Sequence, residues 1–185
     1  NNSATIMNSG GSLLIAANNT GGNASYNLKA NGVSINTNVG TSYSFNHTNI
    51  TANTTYQLEV TQGSSTITRN FSAIVNPSVV TQALPSGLVN GINYNPTDNT
   101  KATLVLDAPF KDFVYVSGSF NNWQPTSAHA MRKDPSTGLF WLELTGLNPG
   151  EIYTYQYWVV RQNPITGSPA LVKTADMYSY MVLSP

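Results

Sequence analysis

The sequence predicts an all-β chain folded as two tandem antiparallel β-sandwiches, and three observations carry that reading. No window of a dozen residues sustains apolar positions at i, i+3, i+4 and i+7, so amphipathic helices have no support. Short alternating stretches recur instead, separated by clusters of Gly, Asn, Pro and Ser that tolerate tight turns. With 185 residues the chain can form one large core or two small ones, and a run with three prolines and two glycines breaks the periodicity between Val75 and Lys101.

Residues 1–78 form the first predicted sandwich. Its strand signals are "SLLIAA" (12–17), "SYNLKA" (25–30), "SYSFNH" (42–47), "TYQLEVTQ" (55–62) and "STITRNFSAIV" (65–75). Between them lie "NNTGGN", "NGVS", "NITANT" and "QGSS", which read as turns. Residues 79–100 read as a linker and lead-in, with the boundary near 77–84, because prolines there cannot donate to a ladder. Residues 101–185 form the second sandwich, from "KATLVLDAP", "DFVYVSGSF", "GLFWLELTGL", "IYTYQYWVVR" and "DMYSYMVLS". This half is richer in aromatics and holds all three tryptophans, Trp123, Trp141 and Trp158.

Charge narrows the function classes. Eight Lys and Arg balance eight Asp and Glu, and only 9% of residues are charged, so no basic field exists to attract nucleic acid or an anionic membrane. No apolar run approaches the length needed to span a bilayer, so neither nucleic acid nor membrane insertion is expected, and the chain reads as soluble. Without cysteine there is no disulfide framework, thiol nucleophile or thiolate metal site. Asn-x-Ser/Thr triplets at Asn18, Asn23, Asn46, Asn49, Asn53 and Asn70 would suggest glycosylation in a eukaryotic secreted protein, but in so Asn- and Thr-rich a stretch composition is the favoured explanation.

Catalytic constellations are not visible. His47 and His129 are isolated at turns, no Asp-x-Asp-x-Asp calcium run occurs, and no serine sits in a strand, elbow and helix context. Asp98, Asp112 and Asp134 occupy turn-like stretches, while Asp107, Glu143 and Glu59 fall at polar positions of alternating strands. No catalytic residue, metal site or cofactor is therefore expected. The distinctive resource is aromatic: flat Trp and Tyr faces stack on the C–H face of a sugar ring while neighbouring amides bond its hydroxyls. "FNNW" puts Trp123 beside Asn121 and Asn122 in such a setting.

These residues also resemble a family. "FVYVSGSFNNWQP" followed by "GLFWLELTGLNPGEIYTYQYWVV" is similar to the glycogen- or starch-binding β-sandwich of carbohydrate-binding module family 48, related to the N-terminal domain of isoamylases and branching enzymes. The matching positions are Val114, Val116, Gly118, Phe120, Asn121 and Trp123, then Gly138, Phe140 and Leu144, then Pro149 and Gly150, then Tyr155 and Tyr157. "GLVNGINYNPTDNTKATLVLDAP" resembles the lead-in to this module in α-amylase family enzymes (glycoside hydrolase family 13) of Bacteroidetes-type bacteria. "VKTADMYSYMVLSP" looks like the segment that joins the module to the catalytic barrel, with Asp176 at the motif's Asp and Met177 in place of its Pro. The barrel itself would follow Pro185, outside this chain.

The resemblance implies a non-catalytic accessory region of a secreted, periplasmic or cell-surface bacterial enzyme that degrades starch or glycogen. It would bind α-glucan weakly, pack against its own C-terminal catalytic domain, or do both. The alternative is a purely structural spacer and interface module. Within the resemblance Trp123 matches the stacking tryptophan, and Gln156 stands where sugar-binding members have a lysine. A second stacking tryptophan of the family has no counterpart, since "VVRQNP" stands there. Strand parity then puts Gln156 and Trp158 on one face of "YTYQYWVV", so the expected carbohydrate contacts are Trp123, Asn122, Gln156 and Trp158. By the same count Trp141 and Glu143 point outward, to meet sugar or a neighbouring domain. The first segment looks like an immunoglobulin- or fibronectin-like spacer of the kind attached to secreted bacterial glycosidases, giving two tandem immunoglobulin-like β-sandwich domains.

Overall fold

The computed structural model describes residues 3–78 and 80–179. Strands dominate, and the helical elements among the described residues are two single 3-10 turns. Contacts divide the chain into two compact units, Asn1–Asn76 and Pro77–Pro185.

In the first unit the strands are β1 (Ser3–Met7), β2 (Gly11–Asn18), β3 (Ala24–Ala30), β4 (Val33–Gly40), β5 (Ser42–Ile50), β6 (Thr54–Gln62) and β7 (Ser65–Val75). One sheet runs β1-β7-β6-β3-β4 and the other pairs β2 with β5. Only the β1–β7 pairing is parallel; the remaining pairings of this unit are antiparallel. Alternation along β3 and β6 sends Tyr26, Leu28, Tyr56 and Leu58 into the core against Ile15 of β2 and Tyr43 of β5. Tyr26 and Tyr43 stack with centroids 5.2 Å apart, and each such buried side chain contributes about 1.5–3 kcal/mol.

Two strands of this unit, β1 and β4, are absent from the strand signals in the sequence. β4 follows Asn31 and Gly32, both at positive φ (50° and 83°), the two-residue loop that matches strand twist in a hairpin. Its Asn-rich, largely exposed run has weak strand propensity and hid the edge strand behind a good turn signal. β1 is a five-residue edge strand whose pairing partner lies more than sixty residues away.

The second unit contains β8 (Gly91–Tyr94), β9 (Ala102–Leu106), β10 (Phe113–Gly118), β11 (Arg132–Lys133), β12 (Phe140–Leu144), β13 (Tyr155–Val160) and β14 (Leu171–Thr174). Sheet β11-β12-β9-β8 faces sheet β10-β13-β14. Lettered in chain order, this is ABED against CFG, the seven-strand immunoglobulin arrangement. The core between them joins Leu104, Leu106, Phe140, Leu142 and Leu144 to Val114, Val116, Tyr157 and Val159. At the corner entering β13, the Tyr153 hydroxyl accepts the Asn148 backbone N–H at 2.9 Å, tying strand start to loop as tyrosine corners do.

Residues 79–100 are less of a linker than their prolines imply. Gly91–Tyr94 pairs antiparallel with β9, Thr81 bridges Lys133, and the Gln82 N–H donates to the Lys133 carbonyl at 3.0 Å. The prolines flank the paired residues and so cost no ladder bond. Among the described residues the last strand is Leu171–Thr174, and residues 176–179, the start of the expected final strand, form a turn; residues 180–184 of that stretch lie outside the described residues. Asp176 explains the turn, because its Oδ1 accepts the Tyr178 N–H at 2.9 Å and so stops the strand.

Candidate functional site

The turn that follows β10 is built from the inside outward. Val114 and Val116 are fixed in the core, and Gly118 comes so close to the next strand that a Cβ there would lie 2.5 Å from the Thr154 carbonyl oxygen. The chain then takes one 3-10 turn, Ser119–Asn121. Asn121 does not reach outward: its Oδ1 accepts the Gly118 N–H at 2.9 Å and its Nδ2 donates to the Val116 carbonyl at 3.0 Å. The Trp123 N–H closes the loop on the Gly118 carbonyl at 2.9 Å.

Asn122 and Trp123 follow at φ 52° and 59°. Two successive non-glycine residues in the left-handed region cost about 1–2 kcal/mol each, offset here by the Asn121 clamp. The side chain thus displayed, Trp123, is 41% exposed, between exposed Asn122 and Gln124, while Pro125 is buried and anchors the far end. Beneath the turn the Phe120 ring lies 6.0 Å from His129 and 6.5 Å from Tyr153. His129 Nδ1 accepts the Thr126 N–H at 3.1 Å, and burial pushes the imidazole below its ordinary pKa.

The remaining expected contacts separate. Gln156 is half-buried on β13 opposite Ser117 of β10. Trp158 shares its face by parity, but it is 7% exposed and unavailable for stacking on a ligand. Its strand neighbours are Tyr115 and Lys173, and the Lys173 ammonium sits 4.2 Å from the ring centroid. Burial in that position lowers the lysine's pKa. Parity therefore assigned the face correctly and its exposure wrongly, because both faces of β10 and the last four residues of β13 are buried.

Trp141 is corrected in the same way. It points away from Phe140, Leu142 and Leu144, yet it is 5% exposed. Its Nε1 donates to the Gln82 carbonyl at 3.0 Å, and the Arg132 guanidinium lies 4.9 Å from its ring centroid. The segment read as linker is what covers it. Glu143, two residues on, is exposed opposite Thr103.

Four aspartates are committed to local structure. Asp134 is buried and held below the ordinary carboxylate range, first by the Thr137 hydroxyl and also by the Thr137 and Leu84 N–H groups. Asp98 is lowered by the Thr100 hydroxyl, and Asp112 accepts the Gln162 N–H at 2.6 Å. Buried Asp176 accepts both the Tyr155 and Tyr157 hydroxyls. Among the described residues no three His, Cys, Asp or Glu side chains gather as a metal site would require.

Sequence reading also passed over a depression at the end of the second unit that carries the Trp123 turn. Its volume is about 170 Å³, its aromatic walls include Tyr94, Phe120 and Tyr153, and its polar rim includes Asn99, Lys101, Asn148 and Glu151. The signal lay in "NYNPTDN" and "LNPGEIY", two Asn-Pro turns each flanked by a tyrosine. Only the strand order brings these distant turns to one end. No protein-family model matches the chain, and no curated protein matches it significantly.

Proposed function

We propose that the second unit is a non-catalytic carbohydrate-recognition module that takes α-glucan, the accessory part of a bacterial α-amylase family glycoside hydrolase acting on starch or glycogen outside the cytoplasm. One observation carries the reading. Trp123 is held in a strained left-handed turn, clamped from below by Asn121 and left 41% exposed between two amide side chains. A tryptophan serving as a lid gains nothing from that strain, whereas a stacking platform needs a fixed, open face. The order of the β10 strand, the N-x-W turn, the Pro149–Gly150 turn and the Tyr155–Tyr157 strand supports the same family reading.

Within this proposal Trp123 stacks on a glucose ring, and Asn122 and half-buried Gln156 offer hydrogen bonds to hydroxyls. Trp158 and Trp141 take no part in ligand contact. A single stacked aromatic contributes on the order of 1 kcal/mol beyond area burial, so binding at about millimolar levels is expected. Titration with maltoheptaose, followed by tryptophan fluorescence, tests it: the intact chain gives a saturable change that Trp123→Ala abolishes. A signal flat to roughly 50 mM sugar sinks the glucan reading and favours a structural module.

A further inference from the structure

The depression between Tyr94 and Tyr153 has no part in the Trp123 contact, and its chemistry is specific enough to assign. It lies where the A-to-B connection, the start of the C-to-D connection and the E-to-F connection meet, lined from Tyr94 and Asn99, from Phe120, and from Asn148 to Tyr153. We propose that it is a second saccharide subsite, seating one neutral pyranose ring at the same end of the sandwich as Trp123.

Size comes first. About 170 Å³ is less than a drug-sized site offers, but a closed cavity of ~150 Å³ already admits a six-membered carbon ring. An open depression of this volume holds one pyranose with its hydroxyls turned to the rim.

The lining then selects among ligands. Tyr94 is 77% exposed, which leaves a large aromatic face open beside the depression. Leu144, Leu147 and Ala102 give the interior an apolar surface suited to ring C–H groups. The rim is polar and already ordered: Glu151 Oε2 accepts from Asn148 Nδ2 at 2.7 Å and from the Tyr153 hydroxyl at 3.0 Å. Those bonds hold Glu151 below its ordinary pKa, so it is an anionic acceptor at neutral pH. Lys101 also lines the depression, but its ammonium is paired with Asp98 at 3.5 Å, so with Glu151 anionic the lining offers no net positive charge to a phosphate or carboxylate ligand, and a purely apolar ligand would strip water from the carboxylate without replacement. A sugar hydroxyl instead donates to it. Asn99 supplies a further amide to the lining, and the E-to-F wall is fixed in advance by the Tyr153 corner, which reduces the ordering cost of binding.

Glucose as the sugar rests on the glucan reading above; the site itself rests on the depression. The test is a titration of the intact, isotope-labelled chain with maltoheptaose, following backbone amide NMR signals of residues 94–102 and 148–154 separately from the Trp123 indole. Saturable shifts at 94–102 and 148–154 are expected. Tyr94→Ala and Glu151→Gln, both at exposed side chains, should each weaken that response about fivefold or more and leave the Trp123 response intact. Shifts confined to Trp123 overturn the second subsite and leave the proposed function standing. No shifts anywhere overturn both, whereas shifts at the depression alone support the subsite and overturn Trp123 as the platform. Shifts at the depression that neither variant weakens would also overturn the assignment.

Discussion

The Tyr155 hydroxyl donates to Asp176 Oδ2 at 2.6 Å, joining the first residue of β13 to the turn that ends β14. Tyr157 donates to the same oxygen at 3.2 Å. Burial raises the pKa of both phenols, and the Asp176 carboxylate raises them further, so each stays a donor. Asp176→Ala leaves two core hydroxyls without an acceptor and should cost about 3 kcal/mol in urea denaturation. Asp176→Asn keeps an acceptor oxygen and should cost roughly half as much. Equal, small losses in both variants would mean the clasp does not hold the strand end.

Gly118 is required by proximity rather than by backbone torsion. Its φ is −166°, which any residue adopts, but a Cβ would meet the Thr154 carbonyl at 2.5 Å and the Tyr155 Cβ at 3.0 Å. Backbone at the entry to a paired strand cannot yield as a flexible side chain can. Gly118→Ala should therefore lower stability by about 2–3 kcal/mol and depress the melting temperature. A melt indistinguishable from the parent chain would refute the close approach.

Asn121 braces the Trp123 turn from inside, through the Gly118 N–H and the Val116 carbonyl, and the proposed glucan contact depends on that brace. Asn121→Ala strands the Gly118 N–H and the Val116 carbonyl and removes the clamp that offsets two left-handed residues. Stability should fall by about 1–3 kcal/mol, and maltoheptaose affinity should fall with Trp123 still present. Asn121→Asp retains the acceptor for Gly118 but not the donor to Val116, so it should fall between. Unchanged affinity in the alanine variant would show that the clamp does not set the platform.

His129 makes a pH-dependent contribution with a defined sign. Burial depresses its folded-state pKa below the ordinary value of about 6.5, so the unfolded chain takes up a proton first as pH falls. The contribution is complete above pH ~6.5 and is lost as pH drops through the lower folded-state value. Protonation also removes the Nδ1 acceptor used by the Thr126 N–H. Urea denaturation at pH 7.5 and 5.5 should show a loss of stability that His129→Asn lacks. The carboxylates held low by hydrogen bonds, Asp98, Asp134 and Glu151, titrate at more acidic pH and leave this window clear. Identical losses in both chains would contradict the assignment.

Much of the fold was legible because period-2 alternation is local. "TYQLEVTQ" and "STITRNFSAIV" appear as β6 and β7 with bounds shifted by at most one residue, since inward Tyr56 and Leu58 alternate with polar neighbours. Phe140, Leu142 and Leu144 were likewise readable as core. Short edge elements such as β8 and β11 were not, because four and two residues carry no periodicity of their own.

By itself, the sequence determined the strand class, the faces that Trp141 and Trp158 take, and the turn that holds Trp123. Those follow from backbone geometry, in which neighbours along the chain dictate direction. Only the tertiary structure decided which outward tryptophan stays open. Gln82 arrives from 59 residues away to cap Trp141, Lys173 crosses from β14 onto Trp158, and Trp123 alone of the three keeps 41% of its surface. It also gathered Tyr94, Phe120 and Tyr153 from three connections to one end of the sandwich. Exposure depends on what else packs against a face, and that partner is set by strand order, which no local pattern encodes.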